Sequence, residues 1–172
     1  QDSKPEVMVS SELGQLQVQT ASFMGDFLRR YSTVDQELLS NYALVERTSD
    51  LSEFYSEIEK GRSVIRSYRD KVREVILKEY EKIPARNSAL RVEVKRMYGM
   101  LMQELDFYDE QLSSDECALE VLHNNRGAWR VVRGKVLWQD AELASFFGDY
   151  SRENVGVTSR WRRDFGIRKP SD

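Results

Sequence analysis

Between Leu51 and Leu112 apolar residues recur at alternating steps of three and four, and the run is broken once, at Pro84. Leu51, Phe54, Ile58, Gly61, Ile65, Tyr68, Val72 and Val75 advance by 3, 4, 3, 4, 3, 4 and 3, the spacing that holds one stripe of a helix against a partner in a left-handed pair. Beyond Val75 the stripe drifts to Ile76, Tyr80 and Ile83, as a turn of about 3.6 residues slips against a repeat of about 3.5. Gly61 sits on this seam at a cost of about 1 kcal/mol relative to alanine, which calls for a close-packed neighbouring backbone or a kink. Pro84 and the stretch Ala85-Arg86-Asn87-Ser88 read as a tight connection, with Asn87 or Ser88 capping the helix that follows. That helix presents Leu90, Val94, Met97, Leu101, Leu105, Tyr108 and Leu112. So short a link forces the two helices to be antiparallel neighbours. The expected fold is all-α, an antiparallel bundle of five to six helices whose spine is a long helical hairpin, about 51–83 and 88–112.

The remaining helices follow from caps and stripes. Residues 1–9 are polar, contain Pro5 and read as a flexible N-terminal arm. Ser10 or Ser11 starts a first helix with Leu13, Leu16, Phe23, Phe27 and Tyr31 on its inner face, widened by Met24 and Leu28. Thr33-Val34-Asp35-Gln36 has the form of a capping box and opens a shorter helix carrying Leu38, Leu39, Tyr42 and Val45. Asp50-Leu51-Ser52-Glu53 repeats the start signal. Ser113-Ser114-Asp115-Glu116 ends the fourth helix and opens a fifth, with Leu119 and Leu122, that stops at Gly127. Asp140 caps a last helix bearing Leu143, Phe146, Phe147 and Tyr150.

Helix loses in one place. With Arg133-Gly134 as a two-residue turn, Trp129 faces Trp138 and Val131 faces Val136, all four on one side of a small β-hairpin near 129–138. The domain reading is a flexible arm over 1–9, a single helical-bundle domain over 10–150 and a basic-aromatic tail over 151–172.

Composition closes off several functions. A formal charge of −3 offers nucleic acid no obvious footing. No apolar run approaches the roughly 18 residues a transmembrane helix needs. Cys117 is alone, so neither an intramolecular disulfide nor a thiolate zinc site can form, and it reads as a buried inert thiol, with an intermolecular disulfide as the alternative. The opening Gln1-Asp2-Ser3, without methionine or apolar leader, reads either as a chain whose signal peptide has been removed or as an internal fragment; the expectation taken is an exported mature chain, periplasmic or extracellular, over a cytoplasmic one.

No chemistry-bearing motif stands out. Glu120 and His123 share a helix face in the Glu-x-x-His spacing of bundle di-iron sites, but no second histidine exists to complete one. His123 with a methionine as haem ligands has nothing but residue type behind it. Cys117 and His123 are six residues apart, on divergent sides of a helix. No metal, cofactor or catalytic residue is expected. Arg62, Arg66, Arg69 and Arg73 form a basic ridge, and the fold at Pro84 brings Arg62 and Arg66 level with Glu104, Asp106 and Asp109, which makes charge pairing the reading ahead of an anion-binding surface.

What remains are aromatic and basic contact candidates: Trp129 and Trp138 on the hairpin, and Arg160, Trp161, Arg163 and Phe165 in the tail. Tail arginines interleaved with aromatics suit a protein partner, with nucleic acid or an anionic membrane as lesser alternatives. The leading function is a non-catalytic, exported helical interaction or scaffold protein that binds a protein partner, with a homodimer as one form of it. A helical module holding a small apolar or anionic ligand is the alternative, and an enzyme with carboxylate chemistry comes third.

Overall fold

The computed structural model of the chain describes residues 4–151. In order they form α1 (Lys4–Tyr31), α2 (Gln36–Leu39), α3 (Tyr42–Arg47), α4 (Ser52–Lys82), α5 (Ser88–Asn124), β1 (Trp129–Val132), β2 (Lys135–Trp138) and α6 (Ala141–Tyr150). This is an all-α bundle with a long antiparallel helical hairpin and one small two-stranded sheet, as the periodicity predicts. None of the described helices is long and apolar enough to cross a membrane. The chain groups into two compact units. Among the described residues, one joins 4–33 with Gly61–Asp109, and the other joins Val34–Lys60 with 110–151.

In the first unit α1 packs with the second half of α4 and the first half of α5. The core holds Leu16, Val72, Ile76, Ile83, Leu90, Val94, Met97 and Leu101. Further along α1, Phe27 is fully buried and meets Tyr31, Tyr68 and Tyr108 at ring-centroid distances of 5.4, 5.4 and 5.1 Å. Helix α1 begins at Lys4, not at Ser10 or Ser11, so the expected arm over 1–9 is already helical from residue 4. Pro5 permits this because the first turn of a helix has no use for its missing N–H. At the Pro84 bend Asn87 Oδ1 accepts the N–H of Leu90 at 3.3 Å, and Arg91 donates to the Ile83 carbonyl at 3.1 and 2.8 Å, satisfying an acceptor left open at the end of α4.

Across the hairpin Arg69 pairs with Asp106 (2.5 Å) and Asp109 (3.1 Å). Helical side chains lean toward their own N-terminus. Arg69 therefore leans away from the bend while the two aspartates lean back toward it, and partners meet offset.

The second unit combines α2, α3, the start of α4, the end of α5, the hairpin and α6. Its buried apolar residues include Leu39, Val45, Phe54, Ile58, Leu112, Leu119, Leu122 and Phe147. The expected second helix is two short ones. Asp35 caps α2 by accepting from Leu38 N–H (2.9 Å), and Asn41 restarts the chain as α3 by accepting from Leu44 N–H (3.1 Å). The Asp35 N–H donates to Glu57 of α4 at 2.8 Å, which ties this cap to the neighbouring helix. Helix α5 runs without interruption through Ser113-Ser114-Asp115-Glu116, where the sequence suggests a break. Leu112, Asp115, Ala118, Leu119 and Leu122 are all buried there and continue one stripe.

The hairpin has the expected register, Trp129 opposite Trp138 and Val131 opposite Val136. Its turn places Arg133 at φ 52° and Gly134 at φ 78°, the double left-handed turn whose twist matches the strands. The free edge of β1 is covered by α3: the Val131 N–H donates to Glu46 at 3.1 Å.

Candidate functional site

The two hairpin tryptophans point inward. Trp129 is 6% exposed, its indole N–H donates to the Leu122 carbonyl at 2.8 Å, and its ring lies 6.3 Å from that of Trp138, which in turn packs 5.5 Å from Phe147. Leu122 belongs to the last turn of α5, whose carbonyls have no helical partner, so the indole serves as a C-terminal cap. The surface the hairpin leaves for another molecule is its opposite side, where Val132 and Leu137 are exposed. Arg160, Trp161, Arg163 and Phe165 lie outside the described residues.

The other singled-out groups do not converge. Glu120 and His123 are exposed, and no group of three potential metal-ligating side chains occurs among the described residues. Cys117 is half-buried, and burial, then the charges of Glu120 and Glu116, push its thiol above the usual range, away from nucleophilic character. Of the basic ridge, Arg69 pairs across the hairpin and Arg73 lies 3.9 Å from Asp70 on its own helix.

The site that the aromatic and basic candidates overlook is the outward side of α1 in the first unit. From Leu13 to Gly25 the chain carries no charged residue, although 32% of the whole chain is charged. Leu16 and Phe27 turn to the core, while Val18 is 71% exposed and Leu28, expected to widen the core stripe, is 46% exposed. Beside them α5 presents Met100 at 55% exposure. Between the two helices runs an open groove of about 380 Å³ lined by Gln17, Thr20, Ala21, Met24 and Leu28 from α1 and by Arg96, Met97, Met100, Leu101 and Glu104 from α5.

Charge is held at the margins of this groove. Arg96 is tied to Glu93 (2.5 and 2.9 Å) and to the Met100 sulfur (3.0 Å). Glu104 stands on the wall, and burial pushes its carboxyl above the ordinary glutamate range. Tyr68 of α4 donates to Asp26 of α1, and that hydrogen bond, ahead of Arg30 and Arg29, holds the Asp26 carboxyl low. Lys71 lies 4.7 Å and Arg30 5.9 Å from the centre of the Tyr68 ring. Tyr68 itself is 1% exposed, and this cluster joins α1 to α4.

The groove thus combines an apolar floor and adaptable methionine walls with one paired charge, Arg96, and one half-buried carboxyl, Glu104. Such surfaces accept amphipathic helices. Its sequence signal was the absence of charge, which an apolar-stripe reading of α1 does not register. Comparison with known proteins yields nothing to set beside it: no family model, no curated protein and no solved structure matches the chain.

Proposed function

We propose that the chain is a non-catalytic helical interaction protein that binds a protein partner along the α1–α5 face of its first unit. One observation carries this reading: Leu28 and Met100, large, apolar and about half exposed, line a methionine-walled groove beside the uncharged reach of α1, in which Val18 is 71% exposed. Exposed apolar surface gathered in one place marks contact sites, whereas scattered apolar residues do not. The cores of protein interfaces are likewise depleted in charge and enriched in methionine.

The test is photo-crosslinking. A benzophenone amino acid is placed at position 18 or 100, and at position 78 as a control, since the Lys78 side chain is 65% exposed and already paired with Glu74. The reading expects one defined polypeptide adduct from 18 and from 100 and none from 78. Absence of any adduct from 18 and 100 in the native source refutes it.

A further inference from the structure

Resting on the interaction reading above, we infer that the occupant of the α1–α5 groove is a basic amphipathic helix of a partner protein. Its apolar side lies on the methionine walls, and one of its lysines or arginines reaches Glu104.

Two charged side chains line the groove, and they differ in how they are spent. Arg96 is committed, since its guanidinium holds both carboxylate oxygens of Glu93 at 2.5 and 2.9 Å and touches the Met100 sulfur. Glu104 stands further along α5, about 12 Å away by helical rise. Among the described residues it has neither a hydrogen-bond donor nor a cation beside it. Burial pushes its carboxyl up, and its charge is felt by Tyr108, whose phenol rises by burial first and by Glu104 second. The groove therefore carries one uncompensated negative charge, at the end nearer the contact of Phe27 with Tyr108.

That charge selects the occupant. Any apolar surface laid on the groove completes the burial of Glu104, and a carboxylate taken out of water without a partner is strongly disfavoured. A neutral helix leaves that cost in place, and an acidic one adds repulsion. A helix with a cation at this point removes it through a charge-assisted hydrogen bond. Along the α1 wall Gln17, Thr20, Ala21, Met24 and Leu28 bring no charge at all. The rest of the occupant's contact side is accordingly apolar.

Shape selects a helix over a small ligand. The α1 wall runs from Gln17 to Leu28, about 16 Å or three helical turns. Small-molecule sites enclose most of their ligand, whereas this groove is open and covers one side of what it holds. Met24, Met97 and Met100 are side chains that re-pack around apolar anchors spaced by three and four residues.

Multivalent phage display tests this, with random peptides of about 15 residues, enough for about four turns, panned on the full chain and on Glu104→Lys in parallel. Wild type should enrich peptides with apolar residues at three-four spacing and an excess of lysine and arginine. Glu104→Lys should enrich acidic peptides from the same library. By fluorescence anisotropy, Glu104→Gln should weaken a selected basic peptide at least about tenfold while its melting temperature does not fall. Replacing the peptide's critical cation with norleucine should give the same loss, and the two losses should not add, as for groups that touch. Met100→Lys should also abolish binding, which places the peptide in the groove. Neutral or acidic peptides enriched by wild type, no enrichment, or binding indifferent to Glu104→Gln and Met100→Lys each overturn the inference. Saturable, Glu104-dependent binding of dodecylamine with no peptide enriched overturns it in favour of a small cationic ligand. If crosslinkers at positions 18 and 100 capture a polypeptide through a neutral or acidic segment, the basic-helix assignment fails and the interaction reading survives.

Discussion

Replacing Trp129 with alanine tests whether the hairpin is a structural cap on the second unit. The side chain is 6% exposed and its N–H is committed to the Leu122 carbonyl at 2.8 Å. An indole buries about 150–250 Å², and at about 25 cal/mol per Å² its removal from water contributes roughly 4–6 kcal/mol. A two-stranded hairpin can close over part of the void, so the expected loss is about 3–4 kcal/mol, at the lower end of the range for truncating a buried aromatic. A pair of milder changes isolates the hydrogen bond. Trp129→Phe keeps most of the apolar area and leaves the Leu122 carbonyl without its donor, a loss of about 1–2 kcal/mol. Trp138→Phe removes an indole N–H that is buried without an acceptor among the described residues, so it should cost less than Trp129→Phe. Urea unfolding followed by far-ultraviolet circular dichroism reads all three, with equal m-values confirming that stability alone has changed. A change below about 0.5 kcal/mol for Trp129→Ala, the size typical of a surface substitution, would refute the cap and turn the hairpin into an exposed recognition surface.

Three further outcomes follow from the geometry. Arg133 occupies a left-handed backbone position at φ 52°, so Arg133→Asn should raise the unfolding free energy by about 0.5–1 kcal/mol by relieving a conformation costly to long side chains; an unchanged or lowered midpoint contradicts the turn. Arg69→Gln should cost about 1 kcal/mol by parting Arg69 from Asp106 and Asp109, and this gap from wild type should narrow in about 1 M NaCl, because the pair is partly exposed and screened. Glu104 has a folded-state pKa raised by burial. Between its unfolded and folded values the unfolded chain binds fewer protons, so stability falls as pH rises through that window. Glu104→Gln should therefore stabilise the protein at neutral pH, with the gain gone below about pH 4, where the carboxyl is protonated in both states; a gain that does not vary with pH defeats the assignment to Glu104.

Legibility in the sequence tracked how many independent constraints met at one place. The hairpin register was readable because a period of two, a Gly turn and two tryptophans at matching distances all had to agree. Helix α4 was readable because eight residues kept a 3–4 rhythm without a competing signal. Ser113-Ser114-Asp115-Glu116 misled because those residues serve equally as caps and as exposed or paired positions inside a helix. Their role depends on whether the stripe on either side stays in phase, and Leu112 to Leu122 does. Between α2 and α3 the reverse holds: Asn41 captures the Leu44 N–H and breaks a stripe that otherwise reads as continuous. Pro5 reads from sequence as part of a loose arm, whereas its position in the first turn of α1 makes it a permitted helical residue.

The overlooked face of α1 shows where periodicity stops being informative. That helix carries two seams at helical spacing, one through Leu13, Leu16, Phe23 and Phe27, the other through Gly14, Val18, Ala21, Gly25 and Leu28. A period supplies the phase of each seam and is silent on what covers it. Size decides the inward one, because Phe27 fills space at 0% exposure where aromatic rings from α4 and α5 converge. The second seam is made mostly of small residues and stands in a reach without charge, the composition that lets a helix axis come close to another. A soluble helix with nothing to meet on its outer side ordinarily fills it with glutamate, lysine and arginine, which cost little and oppose association. The remainder of this chain does so freely, and α1 withholds those residues over the stretch in which its outer seam is continuous. Solubility alone does not call for that restriction, and the contact role proposed for this face accounts for it.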